Sequence, residues 1–256
     1  MPQVDIYTEP GPIPDGVQLR VYSNPICPYV QRVRLFAAAK GVRTEEINIH
    51  LKIKPDWYVT KINPEGKGKV PAIQLLDGRV INESLVAAEY VDEAFGGKKL
   101  WPTDPYERAQ ARLTVDSFGN RFTPNFYKNY RDQESNDHNV ELGKYIQTLE
   151  EKLKAGGGPF FGGAEANAVD YLIWPWFERL ETVQTIKPKI SEAVNKDKFP
   201  LVFSWIDRMK ENEAVKQSFL PTENHLAFLK TYLSGNHDYG TVDLTGEGVR
   251  MYTKKE

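Results

Sequence analysis

Between Val17 and Gly41 the hydrophobic period of the chain changes, and the place where it changes restricts the fold more than anything else in the sequence. Val17, Leu19 and Val21 alternate with polar residues, the period of a half-buried strand. Val30, Val33 and Ala37 then recur at helical spacing, until Gly41 supplies a stop after Lys40. The switch is made over Asn24-Pro25-Ile26-Cys27-Pro28. A proline suits the first position of a helix, because the amide it lacks would have had no partner there. Cys27 is thereby predicted at the N-cap. A thiol at that point faces unpaired main-chain amides and the positive end of the helix dipole, both of which favour the thiolate.

Elsewhere a lone cysteine could be a small buried hydrophobe; at a strand-to-helix turn beside a proline it reads as a reactive thiol. It is the one cysteine among 256 residues, so an internal disulfide is impossible and a reducing compartment is expected. Any redox cycle at Cys27 must therefore draw its second thiol from outside, and glutathione is the natural small soluble source. A net charge of -2 offers no basic excess to displace phosphate counterions, which argues against nucleic acid as a partner. Met1–Pro10 lacks the basic start and apolar core of a signal peptide, and no apolar run approaches the ~18 residues of a membrane span. A cytoplasmic protein with no metal and no membrane association is expected.

Taken in order, residues 1–16 carry Pro10, Pro12 and Pro14 and read as a stiff, extended lead-in. After the first strand and helix, Ile47 and Ile49 mark a second strand over 44–50, and Pro55-Asp56 a helix start. A loop rich in Gly, Pro and Lys (63–69) leads to a third strand over 70–75; Asp77-Gly78 is a hairpin turn to Arg79–Asn82, and Glu83-Ser84 opens a helix to about Ala94. The order β-α-β-α-β-β-α over 17–95 is the thioredoxin-like arrangement. From 104 to 233 only helical periodicity remains, opened by the cap Asp104-Pro105-Tyr106-Glu107. Helices are predicted over about 105–130, 136–154, from Asn167-Ala-Val-Asp170, 188–195, 200–212 and 223–233, and a loosely held polar tail over 234–256.

At this point the residues match a known family. The chain resembles the cytosolic glutathione transferases and, within them, the omega class. Cys27-Pro-Tyr-Val-Gln-Arg32 is similar to that class's Cys-Pro-Phe-Ala-Gln/Glu-Arg. Leu51-Lys-Ile-Lys54-Pro-Asp-Trp57, Val70-Pro71, Glu83-Ser84, Leu100-Trp-Pro-Thr-Asp-Pro-Tyr-Glu107, Phe160-Phe-Gly-Gly163 and Asp170-Tyr-Leu-Ile-Trp-Pro-Trp-Phe-Glu-Arg179 also match, in the same order. The resemblance covers roughly residues 10–233. It departs at Lys67-Gly68-Lys69, which lengthens the loop before Val70, and at His225, where the better-known omega proteins have tryptophan.

The resemblance implies a thioredoxin-like glutathione-binding domain followed by an all-helical domain, with Cys27 as the catalytic thiol. It implies that Ser84 and the amide at its helix start take the γ-glutamyl carboxylate, as an anion at a helix N-terminus. Glu83 would attract the α-amine. Val70, before a cis Pro71, would pair its main chain with the cysteinyl peptide, as one more strand on an exposed edge. Lys54 would meet the glycyl carboxylate, an exposed pair worth about 1 kcal/mol. The bland alternatives are an N-cap at Ser84, a strand-initial proline at Pro71 and a solvated lysine at Lys54.

Glutathione then acts as co-substrate, and the second, oxidised or electrophilic substrate would lie between the domains. Pro28, Tyr29, Phe118, Phe122, Arg179 and His225 are candidate walls. Phe118, Phe122 and Phe126, spaced by four, also fit a helix core, and Arg179 a helix salt bridge. A homodimer is expected from the resemblance alone. The implied activities are thioltransfer, dehydroascorbate reduction, and reduction of S-(phenacyl)glutathiones or methylated arsenic. Three rivals stand beside them: the pyrimidodiazepine synthesis of some insect omega relatives, a non-catalytic ligand binder, and an intracellular chloride channel. Against the channel, Arg32, Arg34 and Lys40 punctuate the first helix.

Overall fold

The computed structural model describes residues 4–5, 8–131, 137–235 and 249–253; the rest of the lead-in and of the tail lies outside the described residues. Two compact units result, Met1–Gly97 with Ala227–Glu256, and Lys98–Leu226. The second split falls inside the last helix, rather than after it as the sequence suggests.

The first unit is built on strands β1 (Val4–Asp5), β2 (Leu19–Ser23), β3 (Thr44–Asn48), β4 (Ala72–Gln74), β5 (Val80–Asn82) and β6 (Val249–Thr253), with helices α1 (Pro28–Ala39) and α2 (Ser84–Ala94). Parallel β2 and β3 are joined through α1. β4 runs antiparallel to β2 with Val21 opposite Ile73, and β5 antiparallel to β4 with Ile73 opposite Ile81. The predicted hairpin forms at Asp77-Gly78, where Gly78 takes φ +86°, a conformation that glycine adopts without steric cost. This four-stranded mixed sheet is the expected thioredoxin-like arrangement. Two additions were not legible: β6, in the polar tail, pairs parallel to the outer edge of β3, and β1 pairs with β6.

β2 is buried on both faces rather than half-buried, with Tyr22 covered by Trp57, Tyr58 and Ile62. Its Arg20 is tolerated there by Glu45 at 2.7 Å and by the Gly11 carbonyl at 2.7 Å, which also ties down the lead-in. Tyr22, Ile47, Ile49 and Ala72 pack with Trp57, Tyr58 and Ile62 from the predicted short helix, whose Tyr58–Ile62 portion is a π-helical turn. The other two helices, α1 and α2, pack on each other. A fully buried ion pair, Lys40–Asp92 at 3.3 Å, joins them.

The second unit is helical: α3 (Pro105–Ser117), α4 (Thr123–Arg131), α5 (Asp137–Gly156), α6 (Ala168–Glu178), α7 (Leu180–Ile186), α8 (Ile190–Ala193), α9 (Pro200–Glu211), α10 (Glu213–Lys216) and the first turn of α11 (Thr222–Leu233). Asp104 caps α3 as predicted, accepting from the Glu107 amide at 2.9 Å. A π-helical turn, Phe118–Phe122, links α3 to α4. At the start of α6, Asn167 and Asp170 form the predicted capping box. Asp170 does more than cap. Its two oxygens accept from the amides of Phe161 (3.0 Å), Gly162 (3.3 Å) and Asn167 (2.8 Å) and from Trp205 Nε1 (2.7 Å). Burial pushes its carboxyl up to about 6, against the pull of these four donors, each of which favours the ionised form.

Asp170→Ala leaves buried Trp205 Nε1 and three partly buried main-chain amides without this acceptor. A loss of about 3–5 kcal/mol in unfolding free energy is expected, measured by urea denaturation. A loss below about 1 kcal/mol would show that water or a neighbour replaces the carboxylate.

Candidate active site

Cys27 sits where the sequence placed it, at the N-cap of α1 with Pro28 at the first helical position, and its side chain makes no cap bond to the helix. Its own carbonyl accepts from the Gln31 amide at 3.2 Å. The thiol is not in a disulfide, and the residue is buried, with 9% of its surface exposed. The turn that delivers it is built by Asn24, which the sequence reading passed over although Asn-Pro is a turn signal. The Asn24 carbonyl accepts from the Cys27 amide at 3.0 Å, and its side chain accepts from the Ile26 amide at 3.2 Å. Its Nδ2 donates to the Ile49 carbonyl at 3.1 Å, just beyond β3. The end of β2 is fixed to β3 in the same way, by Ser23 Oγ donating to Glu46 at 2.9 Å. The cysteine is thus held by main-chain and amide bonds to two adjacent strands.

The Val70–Pro71 bond is cis, as the resemblance implied. The residue before it is gripped from two sides: Tyr58 Oη donates to the Lys69 carbonyl at 2.7 Å and Asn63 Nδ2 at 2.8 Å. Neither was legible in the sequence, since both act on a carbonyl that every residue has. Burial first, and the nearby Tyr22 and Cys27 charges after it, push the Tyr58 phenol far up against a lowering contribution from Asn63. Tyr58 therefore remains a donor and lies within Coulomb range of Cys27. Lys54 Nζ donates to the Lys67 carbonyl at 3.3 Å, so the lengthened loop folds over it. Partial burial, and then the Lys69 charge, hold its pKa below the ordinary lysine value.

At the start of α2 the N-cap is Glu83, not Ser84. Glu83 is exposed and takes φ +65°, which costs a residue with a Cβ of order 1 kcal/mol, and no side chain caps the helix. Ser84, the first helical residue, is 7% exposed, and its Oγ accepts from Arg32 Nη1 at 3.2 Å. The Arg32 guanidinium carbon lies 5.5 Å from the ring centroid of half-buried Tyr29. Arg32 was quoted within the motif but given no role. The available signal was a charge embedded among Val30, Val33 and Leu35, all fully buried.

Of the candidate walls in the helical unit, Phe118 and Phe122 are fully buried. They stack at 4.6 Å and pack against Tyr145 and Phe177, so they belong to the core and present no surface to a ligand. Arg179 and His225 are 4% and 3% exposed and gather around Glu178, which the sequence reading missed although it is a charge in an otherwise apolar run. Glu178 accepts from Trp174 Nε1 at 3.2 Å and the Leu220 amide at 3.4 Å, faces His225 Nε2 at 3.1 Å, and lies 3.7 Å from Arg179. Arg179 also donates to the Pro175 carbonyl at 2.5 Å. This is the salt-bridge reading of Arg179, and it makes His225 part of the same buried anchor.

Residues 26–94 match the family described as glutathione S-transferase, N-terminal domain, and residues 117–219 its C-terminal domain. Glutathione S-transferase omega-1 of Rattus norvegicus is 38% identical over 236 residues, covering 90% of this chain and 93% of the relative. Pyrimidodiazepine synthase of Drosophila melanogaster is 35% identical over 233 residues, covering 89% and 91%. Among solved structures, a tau-class glutathione S-transferase of mango, Mangifera indica, superposes with a TM-score of 0.76 at 27% identity, covering 84% of this chain and 98% of that one.

Burial first, and then the Arg179 charge, hold His225 below its ordinary value of 6.5, against the pull of Glu178. Below that pH the unfolded chain takes up a proton that the folded one resists, so stability falls as pH falls. In urea unfolding from pH 8 to pH 5, the advantage of the wild type over His225→Gln is expected to shrink below about pH 6.5. A constant or growing advantage in acid would contradict the assignment.

Proposed function

We propose that this chain, which belongs to the omega class of the glutathione S-transferases, is a glutathione-dependent thiol transferase and reductase working through a Cys27–glutathione mixed disulfide. The observation that carries the reading is Cys27 at the N-cap of α1, where main-chain amides and the helix dipole favour the thiolate. The thiolate attacks the glutathionyl sulfur of a mixed disulfide; a Cys27–sulfur bond forms and the substrate thiolate leaves. A second glutathione thiolate attacks the sulfur now carried by Cys27, which departs as thiolate while glutathione disulfide is released. Each such cycle consumes one free glutathione thiol, the other half of the glutathione disulfide having arrived in the mixed disulfide; a substrate that brings no glutathionyl group takes two glutathione thiols, which supply two electrons. The same two electrons, with two protons, reduce dehydroascorbate to ascorbate.

In this reading Ser84 and the first amides of α2 hold the γ-glutamyl carboxylate, exposed Glu83 attracts the α-amine, the Val70 main chain pairs with the cysteinyl peptide, and Lys54 meets the glycyl carboxylate. Pro28 and Tyr29 flank the thiol on the second-substrate side. The protein works in the cytoplasm, as a two-fold dimer of the kind its family forms. Similarity to the Drosophila enzyme supports a second reading of the same thiol chemistry, a pyrimidodiazepine synthesis, which differs in acceptor and not in the role of Cys27. A membrane-inserting, channel-like reading is disfavoured: Arg32, Arg34 and Lys40 of α1 bond to Ser84, Glu46 and Asp92, and among the described residues no helix is long and apolar enough to cross a membrane.

After exposure to oxidised glutathione, intact mass spectrometry is expected to show one glutathione per chain, lost in Cys27→Ser. No adduct on the wild type, or one that survives the substitution, overturns the mechanism. A panel of thioltransferase, dehydroascorbate and methylarsenic assays identifies the acceptor. Conjugation of 1-chloro-2,4-dinitrobenzene should be weak, because a thiol is consumed in its own disulfide where a hydroxyl would stabilise the glutathione thiolate. Brisk conjugation, unchanged in Cys27→Ala, would contradict this.

A further inference from the structure

The contact between Arg32 and Ser84 joins the helix that carries the thiol to the helix whose start takes the ligand's carboxylate. Arg32 is 4% exposed, and its Nη1 lies 3.2 Å from Ser84 Oγ. A guanidinium has donors and no acceptor, whereas a hydroxyl has one proton and two lone pairs. At this contact Arg32 must therefore donate, and Ser84 must accept. The Ser84 proton is then directed away from the guanidinium. A serine in the first turn can otherwise satisfy itself on nearby main chain; here one of its lone pairs is taken and its orientation is set from behind. The same guanidinium places a permanent positive charge at the base of a helix start that no side chain caps.

We propose that Arg32 is a positioning residue of the carboxylate subsite at the start of α2. It fixes the Ser84 hydroxyl as a donor toward the incoming γ-glutamyl carboxylate and adds a buried positive charge behind that bond. The half-buried Tyr29 ring, 5.5 Å from the guanidinium carbon, supports the cation on one side. The proposal rests on the assignment of that carboxylate to Ser84, and it adds that recognition of the anion is shared across two helices. An arginine on the Cys27 helix then becomes part of how the thiol's partner is selected.

The test compares glutathione with its analogue lacking the α-carboxylate, γ-aminobutyryl-cysteinylglycine, by calorimetric titration of the wild type, Arg32→Gln, Arg32→Lys, Ser84→Ala and the double variant Arg32→Gln/Ser84→Ala. Arg32→Gln is expected to weaken glutathione binding about 10- to 100-fold, the range for one charge-assisted hydrogen bond. Its effect on the analogue should stay within about threefold. Arg32→Lys should recover part of the glutathione affinity, and the double variant should lose less than the product of the two single losses. Equal losses for both thiols, no recovery with lysine, or independent effects in the double variant overturn the proposal and leave Arg32 a packing residue. If Arg32→Gln does not fold, Arg32→Lys decides alone: it must lose affinity for glutathione and not for the analogue. Glutathionylation of Cys27 is followed in parallel by mass. Its presence in the wild type with no carboxylate selectivity at Arg32 defeats only this proposal, while its absence from the wild type defeats the thiol-transfer reading itself.

Discussion

The amides in the first turn of a helix have no partner within it, and the use this chain makes of them organises the site. In the helical unit the starts of α3, α6 and α9 are filled by side chains, whereas the N-cap residues of the short α7 and α8 make no such bond. Asp104 closes α3, Asn167 with Asp170 closes α6, and the Glu150 carboxylate takes the first amides of α9 at 2.9 and 2.8 Å. In the thioredoxin-like unit neither N-cap residue, Cys27 before α1 or Glu83 before α2, makes a side-chain cap bond. An open helix start favours negative charge. In the proposed function one of these two starts stabilises the thiolate of the protein, and the other the carboxylate of glutathione.

The rest of the unit keeps the two starts in place. Asn24 and Ser23 anchor the Cys27 turn to β3 and the chain just beyond it, and Tyr58 with Asn63 holds the Lys69 carbonyl ahead of the cis Val70–Pro71 bond. The buried Lys40–Asp92 pair and the Arg32–Ser84 bond tie α1 to α2 at two points. The bonds from Asn24, Ser23, Lys40 and Arg32 join groups more than 20 residues apart, while those from Tyr58 and Asn63 close the loop before Val70. Removing one partner leaves a buried polar group unsatisfied, which costs more than the bond's net contribution. The positions of the thiol and of the anion subsite are therefore coupled, although no side chain serves both.

Much of this was legible in the residues. Alternation and helical spacing gave the β-α-β-α-β-β-α order, the Asp77-Gly78 hairpin, and the caps at Asp104 and Asn167. The cis bond and the ligand roles came only through resemblance. What the sequence hid falls into two kinds. Arg32 acts on a hydroxyl distant in the chain and Tyr58 and Asn63 on a main-chain carbonyl that every residue has, and nothing in local pattern marks such partners. The Phe118/Phe122 stripe was ambiguous because a helix core and a pocket wall demand the same apolar spacing. Glu178 and Arg32 left the one usable trace, a charge within an otherwise buried run. The strand Val249–Thr253 left none, because an edge pairing needs only main chain and so imposes little on composition.

The central claim is that the N-terminus of α1 makes Cys27 an ionised nucleophile. The pH dependence of its alkylation by iodoacetamide tests this most directly, with a free cysteine peptide as reference. The rate should rise through a midpoint well below that of the peptide, because the thiolate is the reacting species. A midpoint at or above the peptide's would contradict the account, and so would a thiol that alkylates only once the protein is unfolded.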